Sequence, residues 1–469
     1  MKKVAIVYGE IKNALQGRAV EEMSKLLREY LGEYPICVAC DGTEQLDGYR
    51  CVYVGTRESN PYIAKNPASE LSLPESYRIS VKDDTVTVEG YDDAGALYGV
   101  LDFYNKYVIA YGHKKAVRDS NINRTNLWER EALVDFELVS APSVAERGLW
   151  TWGHVIYDYR DYLYNMMLLK MNSVIIWNDF VPANAREVVE YAHSCNIKVY
   201  WGFTWLWGTG VQFDIRHLED EPQKILQKYE REYANSEGDG IYFQTFTEHK
   251  TDRIDGVLIA EAAAKFVNDT VSLFYEKYPD LKIQFGLHGT SVDNRLEFIR
   301  TVNPKVEIIW EDLGAFPFAY DPHEVSNFEQ TVELVERVAN LRGENDLFGV
   351  VTKGLVNLDW STFKHLEGSQ FIGVSDKATK QSQINAMAHQ WRYVQAGWLI
   401  NSDRAREMIQ KMCRIKNGKL SVFALVEDGV FEENIMFPVA LYSEILWDCN
   451  NSMRNLTKYV ALRKYVKFA

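Results

Sequence analysis

From Glu146 onward the chain alternates short apolar runs with longer segments of helical period, and that alternation admits few folds. The runs RGLWTW (147–152), SVIIWN (173–178), IKVYWGF (197–203), GIYFQTF (240–246), KIQFGLH (282–288), VEIIW (306–310), LFGVVT (347–352) and QFIGV (370–374) read as strands. Between them DYRDYLYNMMLLKM, NAREVVEYAHSC, ILQKYEREYANS, VLIAEAAAKFVNDTVSLFYEKY and NFEQTVELVERVANL read as helices. Eight strands joined by helices predict a closed parallel (β/α)8 TIM barrel, an α/β architecture of about 250 residues.

The 469 residues leave room for more than the barrel. VAIVYG, AVEEMSKLLREYL and CVYVGT, then a hairpin built on Ile79, Val81, Val86 and Val88 and closed by Asp83-Asp84, predict a small N-terminal α/β domain over 1–112. A helix is expected to start at Asp92-Asp93, acidic residues that suit a first turn. Residues 113–145 read as a linker, 146–380 as the barrel and 381–469 as a C-terminal helical segment packed on it.

Charge and cysteine content remove several function classes. A net charge of -14 opposes binding to a phosphate backbone, so no nucleic-acid partner is expected. No window approaches 18 apolar residues, and the N-terminal apolar stretch stops at Glu10, so neither a membrane span nor a secretion signal is expected. Six cysteines without dense pairing fit a reducing compartment, and the expected location is the cytoplasm. Cys37 and Cys40 form a lone C-x-x-C that no second pair completes as a zinc site.

In such barrels the working residues stand at the C-terminal ends of the strands, where eight loops surround one concavity. There the sequence places Trp152 and His154 after the first strand, Trp177 and Asp179 after the second, and Trp205 and Trp207 after the third. Glu248 follows the fourth, His288 and Asp293 the fifth, Trp310, Glu311 and Asp312 the sixth, and Lys353 and Trp360 the seventh. Lys250, Arg253, Lys353 and Arg147 are candidate cations for a substrate carboxylate. Tryptophans offer flat apolar faces for sugars, although each is also an ordinary core residue.

Two carboxylates flanking a bond are what glycoside hydrolysis needs: one protonates the leaving oxygen, and the other activates water or attacks the anomeric carbon. Glu248 is expected to be the acid, its pKa raised by aromatic neighbours. Glu311 is expected to be the base, with Asp312 and Asp293 as rivals, because strand register is not fixed by sequence. His154, His249 and His288 are too scattered for a zinc motif such as H-E-x-x-H, and no metal or cofactor is expected.

VYVGTRESNPYIA and VTVEGYDDAGALYGVLDF resemble the small N-terminal domain of glycoside hydrolase family 67 α-glucuronidases and family 20 β-N-acetylhexosaminidases. ERGLWTWGHVIYDYRDYLYNMMLLKMNSVIIWND resembles the first βαβ unit of their barrel, and PVALYSEILWD its closing helix. The resemblance implies Glu248, in GIYFQTFTEH, as proton donor, and IIWEDLGAF is similar to a strand-6 motif that implies Glu311 as a base. The hexosaminidases carry an Asp just before the catalytic Glu, where this chain has Thr247. The expected activity is therefore exo-acting hydrolysis of a terminal uronic acid or N-acetylhexosamine from a small-molecule or oligosaccharide substrate. A retaining hexosaminidase with a replaced assisting carboxylate and a non-catalytic carbohydrate-binding protein are the alternatives, and a homo-oligomer is compatible with each.

Overall fold

The computed structural model describes residues 3–31, 34–67, 70–108, 133–208, 211–249, 251–312, 328–343, 346–355, 368–426, 431–463 and 465–469. The chain forms two compact units, one of Met1–Pro142, Ser194–Asn196 and Arg454–Val466, the other of Ser143–His193, Ile197–Met453 and Lys467–Ala469. Part of the expected linker, residues 113–132, lies outside the described residues.

The first unit is built on β1 (Lys3–Tyr8), α1 (Ala14–Leu31), β2 (Ile36–Ala39), β3 (Tyr49–Thr56), β4 (Tyr77–Lys82), β5 (Thr85–Gly90), α2 (Asp93–Asp102) and β6 (Phe136–Ser140). Its sheet runs β2-β1-β3-β5-β4-β6, parallel from β2 to β5 and antiparallel beyond. The β4–β5 hairpin turns at Asp83 and Asp84, whose φ values of 49° and 66° suit the tight turns that match strand twist. Asp92 caps α2 by accepting the Gly95 N–H at 2.7 Å.

The second unit contains β7 (Glu146–Trp152), α3 (Tyr159–Leu168), β8 (Ser173–Trp177), α4 (Ala185–Ser194), β9 (Lys198–Gly202), α5 (Glu221–Glu232), β10 (Gly240–Phe243) and α6 (Ile259–Lys277). It continues with β11 (Lys282–His288), β12 (Glu307–Glu311), α7 (Phe328–Ala339), β13 (Phe348–Thr352), α8 (Lys377–Lys416), β14 (Ser421–Leu425) and α9 (Phe437–Trp447). Strands β7 to β14 are parallel and close on themselves through β14 and β7. Among the described residues no helix is long and apolar enough to cross a membrane.

The eighth strand is not the expected QFIGV. Residues 370–374 form a loop laid along the segment after β7, with Gly373 N–H donating to Ile156 O at 3.0 Å and Tyr159 N–H to Gly373 O at 3.2 Å. Gly373 takes a left-handed φ of 64°, and Phe371 and Val374 face solvent, so the run has neither the extension nor the burial of a barrel strand. The closing strand is SVFAL, β14, buried along its whole length. The region read as a helical appendage therefore supplies α8, β14 and α9 of the barrel itself.

Alternation along the strands sends every second side chain inward. At the N-terminal end the inward layer is ionic: Lys282 Nζ reaches Glu146 at 2.7 Å and Glu307 at 2.9 Å, while Lys198 Nζ meets Glu146 at 3.1 Å. Burial alone would push the Glu146 carboxyl up, but the two lysines hold it down at about 2. Above this floor Trp150, Trp152, Ile175, Trp177, Tyr200, Tyr242, Ile309, Val351, Phe423 and Leu425 fill the interior as one apolar cluster.

The RG, KMN and SEILW segments meet outside the strands as a structural lock. Arg147 donates to the carbonyls of Lys170 at 3.0 Å and Val144 at 2.7 Å, and Asn172 Oδ1 accepts the Arg147 N–H at 2.8 Å. Lys170 pairs with Glu444 of α9 at 3.3 Å, both fully buried, and its ammonium lies 4.2 Å from the Trp447 ring centre. Arg147 is thereby committed to the base of the barrel rather than to a substrate.

Candidate active site

The C-terminal end of the interior carries the polar groups. Glu248 lies on the connection just beyond β10. Its Oε2 accepts the indole N–H of Trp207 at 2.9 Å, and its Oε1 lies 3.2 Å from His288 Nδ1. The other ring nitrogen of His288, Nε2, is 2.9 Å from Lys353 Nζ. His288 ends β11 and Lys353 follows β13, so three separate strands converge on this chain of contacts.

The expectation of a raised Glu248 pKa is reversed. The hydrogen bond with His288 is the largest influence; burial opposes it, and the Trp207 indole and the charge of Lys353 reinforce it, leaving the carboxyl at about 2. Desolvation loses because the side chain is 43% exposed while N–H donors occupy both oxygens. Glu248 is thereby held as an ionised carboxylate.

Strand register separates the two candidates on β12. Glu311 pairs with His288 on one side and Val351 on the other, and its side chain faces inward. Its Oε1 accepts hydrogen bonds from the Tyr242 hydroxyl and the Gln244 amide. Gly286 on β11 makes room for them: a Cβ there would collide with the Tyr242 hydroxyl and lie 2.8 Å from Glu311 Oε1. Burial, foremost, and the adjacent Glu311 push the Tyr242 hydroxyl well above its ordinary pKa, so it remains a donor. Asp312, one residue on, takes the opposite face, where its Oδ2 accepts the Lys353 backbone N–H at 3.3 Å.

The tryptophans divide in the same way. Trp207 is partly exposed at the mouth, edge-on to Trp177 with ring centres 5.5 Å apart. Trp152 and Trp177 form the top of the buried cluster beneath it. Trp205 stacks on Phe243 at 3.7 Å and on Phe274 of α6 at 5.6 Å, which places it behind the barrel wall. Trp310 also lies outside the interior, donating to Gly289 O at 3.0 Å. Neither Trp205 nor Trp310 reaches the Glu248 group, contrary to expectation.

The remaining expected residues are dispersed. His154 sits beside Trp152, ring centres 6.2 Å apart, and Asp179 lies on the loop after β8, its carbonyl taking Lys228 Nζ at 3.1 Å. Asp293 starts a short 3-10 turn, Asp293–Arg295, whose carbonyl at Asp293 binds Arg337 rather than the Glu248 group. Trp360 and Lys250 lie outside the described residues, and Arg253 turns back on Gly256 O at 2.8 Å. Among the described residues no group of three or more His, Cys, Asp or Glu side chains is placed to hold a metal.

Sequence reading overlooked Tyr242 and Gln244, the donors to Glu311. Gln244 had a signal: a lone amide in the aromatic run IYFQTF, in phase with Tyr242 and therefore inward.

No family model matches the chain, and no curated protein does. Among solved structures it is similar to a variant β-hexosaminidase of Streptomyces plicatus in complex with the product GlcNAc (TM-score 0.57, 11% identity, covering 100% of this chain and 92% of that one). It is also similar to the β-N-acetylhexosaminidase of Bacteroides fragilis (TM-score 0.52, 13% identity, 100% and 93% covered). A third is a family GH115 4-O-methyl-α-glucuronidase (TM-score 0.52, 12% identity, 95% and 56% covered). At these identities the likeness is one of fold. The chain has the TIM-barrel architecture of these glycoside hydrolases, with a separate α/β sheet unit.

Proposed function

We propose that the chain hydrolyses the glycosidic bond of a terminal sugar, with Glu248 protonating the leaving oxygen and Glu311 activating water. The carrying observation is the pair of carboxylates at the C-terminal end of one barrel interior, supplied by the connection after β10 and by β12. Trp207, partly exposed beside Glu248 and backed by the buried Trp177, offers a ring surface for a pyranose. The names of the structural neighbours direct the choice of sugar toward an N-acetylhexosamine or a uronic acid.

The ionised state of Glu248 supports a second reading in which the roles exchange, Glu248 acting as base and Glu311 as acid. Leaving-group dependence separates the two, because a glycoside with a very acidic phenol departs without protonation. Aryl glycosides of N-acetylhexosamines, uronic acids and neutral hexoses identify the sugar first. Glu248→Gln should then lose about 10²- to 10⁴-fold on a poor leaving group and much less on a dinitrophenyl glycoside if it is the acid. Equal losses on both substrates support the exchanged roles. Sugar binding without turnover across the whole set would remove the hydrolase reading.

A further inference from the structure

We propose that Lys353 is a positioning residue for Glu248: by occupying His288 Nε2 it fixes the imidazole with its proton on Nδ1, so that His288 always donates to the Glu248 carboxylate. The inference deepens the hydrolase reading and borrows its site, but it stands on its own geometry.

A lysine ammonium has three N–H donors and no acceptor, so the 2.9 Å contact to Nε2 requires that nitrogen to present its lone pair. A neutral imidazole with a bare Nε2 carries its hydrogen on Nδ1, the nitrogen 3.2 Å from Glu248 Oε1. Free histidine has no such constraint. Lys353 itself has little freedom: it is 6% exposed, and its own backbone N–H is held by Asp312 Oδ2.

Among the described residues the other titratable groups at this point are few. Glu311 is the strand partner of His288, but its Oε1 is taken by Tyr242 and Gln244. Asp312 faces away on the far side of β12. Glu248 therefore remains the acceptor for Nδ1–H, with Trp207 on its second oxygen. The arrangement fixes both the direction of the imidazole hydrogen bond and the orientation of the carboxylate before any sugar arrives, which is what preorganisation of a reacting group requires.

Nitrogen NMR of protein labelled with ¹⁵N-histidine tests this without any substrate, the His288 signals being assigned through His288→Gln. At pH 8, where an ordinary imidazole is neutral, the wild type should show a proton on Nδ1 and none on Nε2. Lys353→Met should admit the tautomer protonated on Nε2, and Lys353→Arg, still a donor, should keep Nε2 bare. A protonated Nε2 in the wild type, or a bare one in Lys353→Met, overturns the proposal. On an aryl glycoside that the wild type hydrolyses, Lys353→Met should lower kcat by about 10²-fold with KM little changed, and Lys353→Arg should recover part of it. A KM effect alone would make Lys353 a substrate contact and overturn the positioning role. If no glycoside is turned over, the hydrolase reading fails while the NMR outcome still decides this one.

Discussion

Trp205 and Trp207 stand two residues apart on one connection and serve opposite sides of the barrel wall. Trp205 stacks on Phe243 at 3.7 Å behind the wall, whereas Trp207 donates its indole N–H to Glu248 at 2.9 Å at the mouth. Trp205→Ala should cost about 3–5 kcal/mol of stability, because it opens a cavity among Phe243, Phe266 and Phe274. Trp207→Phe keeps the ring and removes the donor, so urea unfolding should change little while turnover of a hydrolysed glycoside falls. Comparable stability losses in the two variants would contradict this division.

Tyr242→Phe removes one donor from Glu311 and leaves the packing of Trp150 and Trp177 around the ring in place. A buried carboxylate that loses a partner costs about 1–3 kcal/mol, more when it is charged. The expected result is a loss of stability on that scale together with a fall in kcat. Denaturation curves with and without the substitution measure the first and turnover of a hydrolysed glycoside the second.

Glu432 gives a pH signature of its own. Its Oε1 accepts the backbone N–H groups of Tyr157 and Asp158, its Oε2 has no hydrogen-bond partner among the described residues, and burial pushes the carboxyl up to about 7. An acid raised in the folded state keeps a proton that the unfolded chain releases at about 4.3. Its contribution is thus complete below that value, declines as pH climbs to about 7, and is level above, a span of up to about 4 kcal/mol. Glu432→Gln should abolish that slope, so the stability difference between variant and wild type grows from pH 4 to pH 7 in the variant's favour. A difference that does not change with pH rules the mechanism out.

Glu444→Ala should cost about 3–5 kcal/mol, because it removes the carboxylate paired with the Lys170 ammonium at 3.3 Å in a site where neither side chain is exposed. Pairing it with Lys170→Met should recover much of the loss, since an apolar side chain needs no counter-charge. Thermal unfolding of the single and double variants tests the coupling, and strictly additive losses would refute it.

Seven barrel strands were legible because each is a short apolar run between segments of helical period. The eighth was not: SVFAL follows a 40-residue helix and is itself only five residues long, while the equally apolar QFIGV sits earlier in the place expected for it. What distinguishes them is burial, which belongs to the whole barrel. Glu248 was legible from its place after GIYFQTF. The choice between Glu311 and Asp312 was not, since one step along a strand reverses the face and only the pairing with His288 and Val351 fixes the phase. The Glu248 pKa was misjudged for a related reason: its aromatic neighbourhood is visible in sequence, but the donors that outweigh it arrive from β9's connection and from β11.

The ionic layer of Glu146, Lys198, Lys282 and Glu307, with the tryptophan layer above it, stops the barrel from below. Among the described residues, a molecule held beside Glu248 reaches it from the C-terminal end of the barrel, not through the floor. If the proposed hydrolysis takes place there, the released sugar and the next substrate share one berth, and added product should slow turnover by simple competition.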